Sequence, residues 1–153
     1  MLVKARVRAL LLTDHNTLLL IQRVRPGVPV YWTAPGGGVE PGDASLEAAL
    51  RREVFEELGA QIDAPRLALT WDDLDVDGTV HRQHAFVCRL VSYDLNARTG
   101  PEFNDPGRGQ YLPYEAALDP AALRALDIKP DVLKAFLVGN AARLSALPDL
   151  RHL

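Results

Sequence analysis

Arg52-Glu53-Val54-Phe55-Glu56-Glu57-Leu58-Gly59 is the stretch that decides the fold. On an α-helix, at about 100° per residue, Glu53, Glu56 and Glu57 fall inside one arc of roughly 100°. Leu46, Leu50, Val54 and Leu58 recur every four positions beside that arc, so the helix buries one flank and presents three carboxylates on the next. Gly59 stops it, as a residue free to take the left-handed C-terminal conformation, and Asp43 or Ser45 supplies the capping oxygen at its start. Taken alone, three glutamates on one face are most often a solvated acidic stripe. Like charges at these spacings repel by about a few tenths of a kcal/mol per pair, a cost that a bound divalent cation removes. Hard oxygen ligands in such a cluster suit magnesium or manganese.

Upstream of the helix, Val3 to Thr13 and Leu18 to Ile21 flank the turn residues Asp14-His15-Asn16 and read as a hairpin. Pro26, Gly27 and Pro29 break the second strand, Tyr31-Trp32-Thr33 is a short extended piece, and Pro35-Gly36-Gly37-Gly38 reads as a glycine loop outside any regular element. Downstream, Leu67 to Val76 and Thr79 to Leu90 form a second antiparallel pair around Asp77-Gly78, a dipeptide favoured in two-residue hairpin turns. Asn96 to Gly109 reads as a long loop, Gln110-Tyr111-Leu112 as a short strand, and the segments from Pro120 to Leu126 and from Pro130 to about Leu144 as helices. Strands mixed with one central and two terminal helices predict a single α/β domain over residues 1–153, containing antiparallel pairs.

The composition narrows the function. The 153 residues are 48% apolar and 24% charged, the balance of an ordinary globular domain, and the formal charge of −3 lacks the basic excess that grips a nucleic acid polymer. A small anion remains a suitable ligand if a divalent metal offsets the carboxylates around it. Cys88 is the one cysteine, which excludes an intrachain disulfide and a thiolate cage, and its apolar neighbours make it a core residue. The opening residues lack a signal peptide's apolar run and no stretch approaches the length of a membrane span, so a cytoplasmic protein without membrane partners is expected.

At the helix the chain resembles the Nudix hydrolases, whose box reads G-x5-E-x7-R-E-U-x-E-E-x-G-U with U aliphatic. Arg52, Glu53, Glu56, Glu57 and Gly59 match the five fixed positions of its second half. At typical residue usage, coincidence at one start is of order 10⁻⁶ or below. The first half departs from the pattern: with Gly37 and Asp43 aligned, eight residues rather than seven precede Arg52, while strict spacing back from Arg52 puts Gly38 and Ala44 at those sites; Asp43 stands where the family has the glutamate that pairs with the arginine, and the last aliphatic site is Ala60. The extra residue is expected to be absorbed between Gly38 and Ser45, leaving Glu53, Glu56 and Glu57 to converge on one cleft.

The resemblance implies an α/β/α sandwich with a mixed, largely antiparallel sheet and the box, about residues 37–60, as loop, helix, loop. It implies magnesium, or manganese, held by Glu53, Glu56, Glu57 and a carbonyl near Gly37, and hydrolysis of a diphosphate linkage in a small nucleotide, with a nucleoside triphosphate as the default substrate. Glu53 or Glu102 is the candidate base, and Arg52 and Arg23 are candidates for charge neutralisation. Arg23 is equally a phosphate contact or a surface charge, and Glu102 a substrate-site acid or a solvated one. Trp32 and Trp71 suit base stacking or plain packing, and His81 and His84, three apart in a strand, point to opposite faces. A second copy of the chain is the one protein partner left open. Two rivals remain: a fold-sharing module that binds nucleotides without turnover, and an isomerase of isoprenoid diphosphates, which needs a cysteine in the cavity.

Overall fold

The computed structural model describes residues 2–100 and 106–153; Glu102 lies outside them. Among the described residues, seven strands, β1 (Val3–Leu12), β2 (Thr17–Arg25), β3 (Val28–Thr33), β4 (Gly36–Gly38), β5 (Ala60–Leu74), β6 (Val80–Tyr93) and β7 (Gln110–Ala117), form one mixed sheet. Three α-helices, α1 (Leu46–Leu58), α2 (Pro120–Arg124) and α3 (Asp131–Asn140), complete the order.

The site is made by a fork in this sheet. β1 runs parallel to β6 from Val3 to Leu12, whereas on its other edge it pairs with β2 only at Leu11 and Leu12 and with β4 at Arg6 to Arg8. β2 diverges to pair with β3 at Ile21 to Arg25, while β7 follows it from Thr17 to Val24 on the opposite edge. The two prongs carry β3 and β4, joined by Ala34-Pro35. Arg8 crosses the fork, its Nη1 donating to Thr33 Oγ1 at 3.1 Å and to the Ala34 carbonyl at 3.2 Å.

Alternation along the strands sends apolar residues to both faces, as a sheet covered on both sides requires. Val7, Ala9, Leu19, Ile21 and Phe86 pack with Ala49, Leu50, Val54 and Leu58 of α1. Leu10, Leu18, Leu20, Ala85 and Val87 pack on the other side with Leu123, Leu133 and Leu137 of α2 and α3. The layering is therefore α/β/α. No described helix is long and apolar enough to cross a membrane.

Three sequence expectations change. The glycine run is a strand, because Gly36 has no side chain to collide with β1: a Cβ there would lie 2.0 Å from the Val7 carbonyl oxygen. The β5–β6 turn is longer than two residues, with Asp75 N donating to Thr79 O, Gly78 N to Asp75 O, and Gly78 at φ 87°, the three-residue form that a left-handed glycine permits. β5 also begins at Ala60 rather than near Leu67; register shifts at Gln61/Ile62, Asp63/Arg66 and Leu67/Leu69 break the alternation by which a strand is recognised.

Candidate active site

Ser45 caps α1, its hydroxyl accepting from Ala48 N at 3.0 Å, and Gly59 ends it at φ 61° with its N–H donated to Phe55 O. Glycine is needed at the end twice over, since a Cβ on residue 59 would also meet the Asp94 carbonyl oxygen at 1.9 Å. Between Gly38 and Ser45 the chain makes a turn in which Asp43 N donates to Glu40 O at 2.9 Å.

Arg52 organises the surroundings. Its Nε and Nη2 donate to both oxygens of Asp43 at 3.0 and 2.9 Å, Nη2 also reaches the Gly38 carbonyl at 2.9 Å, and Nη1 donates to Glu53 at 3.1 Å and to Glu56 at 3.2 and 3.3 Å. Aspartate thus forms the bridge made by glutamate in the family pattern. The guanidinium holds the Asp43 carboxyl below the usual range, helped by the Glu40 amide, and Asp43 pushes the already high pKa of Arg52 higher still.

The Glu53 side chain is more enclosed than that of Glu56, 13% exposed against 30%. Burial raises its pKa, against the pull of Arg52. Its carboxylate rests on the Gly37 backbone so closely that a Cβ there would lie 2.5 Å from the carboxylate atoms. Glu57 Oε1 accepts from Gly36 N at 3.4 Å. Two of the three glutamates are thus set against the glycine strand, while Glu53 and Glu56 share Arg52 Nη1. The expected convergence is not present in this arrangement: among the described residues no three His, Cys, Asp or Glu side chains are grouped closely enough to hold a metal ion. Arg52 Nη1 holds Glu53 and Glu56, while Glu57 is turned to the Gly36 amide. The donor chemistry still fits a hard divalent ion, because carboxylates of one helix face adjoin backbone that carries no side chain.

The other sequence candidates separate. Arg23 is buried, its guanidinium 3.6 Å from the Tyr111 ring centre and donating to the Gln110 and Arg108 carbonyls, so it braces the segment before β7. Cys88 is buried, and burial pushes its thiol up to about 12. Trp32 and Trp71 both pack against the second core. His81 Nε2 lies 3.2 Å from Asp75 and His84 Nδ1 lies 3.2 Å from the Arg6 carbonyl, so the pair shares no partner. The sequence reading missed Arg6 and Arg8, basic residues on alternate positions of β1 whose apolar neighbours drew the attention.

Comparison with known proteins gives the family and agrees with the fold. Residues 3–134 match the family model for the NUDIX domain, and the chain belongs to that family. A nucleoside triphosphatase NudI from Enterobacter sp. (strain 638) is 36% identical over 84 residues, covering 50% of this chain and 57% of that protein. A NudI from Salmonella heidelberg (strain SL476) is 59% identical over 54 residues, 34% of this chain and 38% of its own. The chain therefore matches between about a third and three fifths of the length of these curated relatives. In fold, a NUDIX hydrolase from Nitrosomonas europaea superposes with a TM-score of 0.71 at 19% identity, covering 98% of this chain and 95% of its own. A MutT NUDIX hydrolase from Burkholderia pseudomallei gives 0.62 at 20% identity, over 91% and 98%.

Proposed function

We propose that the protein hydrolyses a diphosphate linkage in a nucleoside triphosphate or a closely related nucleotide, with a divalent cation, magnesium or manganese, at the Glu53, Glu56 and Glu57 face. The observation that carries this reading is the apposition of that face to Gly36 and Gly37, where backbone approaches two of the carboxylates with no side chain between. The names of the NudI relatives support the substrate class.

In this reading Glu53, Glu56 and Glu57 hold the ion together with the Gly37 carbonyl. When bound, the ion supplies charge neutralisation for the diphosphate and lowers the pKa of water. Arg52 locks the helix to the turn at Asp43 and to the Gly38 carbonyl, which fixes the height of the carboxylates over the strand. Glu53 is the favoured proton acceptor, because burial makes its carboxylate more basic than an exposed glutamate; Glu102 is the alternative. Arg23 acts through the segment it braces, or directly on a phosphate.

A screen of nucleoside triphosphates, diphosphates and nucleotide sugars with magnesium and with manganese, read as phosphate or pyrophosphate release, tests the proposal. Turnover abolished by chelator is the expected result. No turnover across the panel at several pH values would replace the enzyme with a nucleotide-binding module.

A further inference from the structure

On the sheet face opposite α1, the core beneath α2 and α3 takes in Leu10, Ala85 and Val87. The rows toward the start of β1 are polar. Strand register places Arg8 beside Ala85, Arg6 beside Gln83, and Lys4 beside His81, with Trp71 and Asp73 continuing the last two rows on β5. Two cavities of about 280 and 680 Å³ open here and share Arg6 and His81 as walls. The larger is closed on its other side by Gly38 to Pro41, the loop of the box.

Most polar groups of this face are paired. Arg8 Nε donates to Gln83 Oε1 at 3.3 Å, Gln83 Nε2 donates to Asp73 Oδ2 at 3.3 Å, and Trp71 Nε1 donates to the same oxygen at 3.1 Å. Arg6 differs, making no hydrogen bond or ion pair to any described residue, although a Cβ on Gly38 would lie 3.7 Å from its Nη1. His81 Nδ1 is buried and also lacks a partner among the described residues. Arg6 and Arg8 are like charges on one face of one strand, an arrangement that repels until an anion enters. The acids nearby are engaged elsewhere: Asp73 as above, Asp75 with His81 Nε2, Glu40 at 3.6 Å from Arg52, and Glu53, which feels the charge of Arg6, hydrogen-bonded to Arg52 Nη1.

We propose that Arg6, flanked by Lys4 and His81, is an anion subsite that takes a phosphoryl group of the nucleotide lying outside the linkage to be cleaved. Its place in the reaction rests on the function proposed above, whereas anion binding itself does not. A guanidinium suits the role, since its planar fork of N–H groups matches phosphate oxygens pairwise. The groove reaches the box loop at Gly38, whose carbonyl binds Arg52, and Arg6 is near enough to Glu53 for the two charges to interact, which sets the subsite beside the carboxylate face.

The test compares the wild-type chain with Arg6→Gln, Arg6→Lys and Lys4→Gln, each checked for an unchanged melting temperature. Calorimetric titration with inorganic pyrophosphate in chelator is expected to show about tenfold weaker binding for Arg6→Gln, partial retention for Arg6→Lys and a smaller loss for Lys4→Gln. In steady state, Arg6→Gln is expected to raise KM for a nucleoside triphosphate about tenfold with kcat little changed, and to leave KM for the matching diphosphate unmoved. Equal pyrophosphate affinity in wild type and Arg6→Gln overturns the subsite. Weakened pyrophosphate binding with the same KM shift for triphosphate and diphosphate overturns its assignment to a substrate phosphate in favour of a free anion. If the wild type turns over no nucleotide, the proposed function fails, and the titration still decides the subsite.

Discussion

Arg52 ties the turn at Asp43, the end of β4 at Gly38 and two glutamates of its own helix, so its contacts set both the position and the charge of the site. Substituting Glu56 or Glu57 by Gln is expected to cut the rate by several orders of magnitude under saturating magnesium, because each removes a charged ligand of the proposed ion. The fold should survive, and denaturant midpoints should move little or rise, since i, i+3 and i+4 repulsion is relieved. Near-normal rates in both variants would sink the metal face. Asp43 gives a pH prediction. Arg52 depresses its carboxyl, so its stabilising contribution is complete above the ordinary aspartate range and is lost as pH falls through the lower, folded value. The difference in urea midpoint between wild type and Asp43→Asn is expected to be constant above about pH 5 and to shrink in acid. A difference that grew in acid would contradict the bridge. The shared helix face of Glu53, Glu56 and Glu57 was legible in the sequence, because helical spacing is periodic, and the match to the family box added Arg52. That an aspartate one residue out of register would still reach Arg52 was not, since reach depends on how the Glu40–Asp43 turn closes.

At the scale of elements, the helix was readable from end to end and the glycine strand was not. Leu46, Leu50, Val54 and Leu58 announce a buried flank, and the cap residues fix its limits. Gly36 to Gly38 carry no periodic signal, and their strand exists because β1 parts from β2 and leaves an edge to be paired. The same holds for β5, where Ala64 at φ 49° and three register shifts hide a strand of 15 residues. Two glycines test these elements differently. Gly37→Ala puts a methyl where the Glu53 carboxylate lies, so it should displace that side chain and lower activity much more than stability, read by comparing kcat with the melting temperature. Gly59→Ala meets both a positive φ and the Asp94 carbonyl, and is expected to cost at least about 1–3 kcal/mol in denaturant unfolding. An unchanged midpoint for Gly59→Ala would mean that the helix end relaxes freely.

Over the whole molecule, the three layers were foreseeable from the family resemblance, whereas the clasp that closes them was invisible in sequence. Arg151, near the C-terminus, donates to Asp149 at 2.7 Å, to Glu47 in the first turn of α1 at 2.8 Å and to the Pro65 carbonyl of β5 at 3.1 Å, while Leu67 N donates to Asp149 at 3.3 Å. Helix, edge strand and terminal turn are joined by one guanidinium across more than a hundred residues of chain. Arg151→Ala is expected to lower stability by about 1–2 kcal/mol, the range for losing a few charge-assisted bonds that are partly open to solvent. The pH dependence has a definite sign. Arg151 holds the Asp149 carboxyl far below the usual range, so the clasp is at full strength above the ordinary aspartate pKa and weakens only as pH falls toward the depressed value. Asp149 in turn raises Arg151 further above its ordinary pKa, so no loss occurs on the alkaline side within reach of ordinary buffers. Urea unfolding of wild type and Arg151→Ala should therefore differ by a constant amount from about pH 5 to 9 and converge at lower pH. Because Glu47 lies in the first turn of the helix that carries Glu53, Glu56 and Glu57, the variant should also lower kcat by a few-fold at temperatures where it is fully folded; an unchanged kcat would confine the clasp to stability.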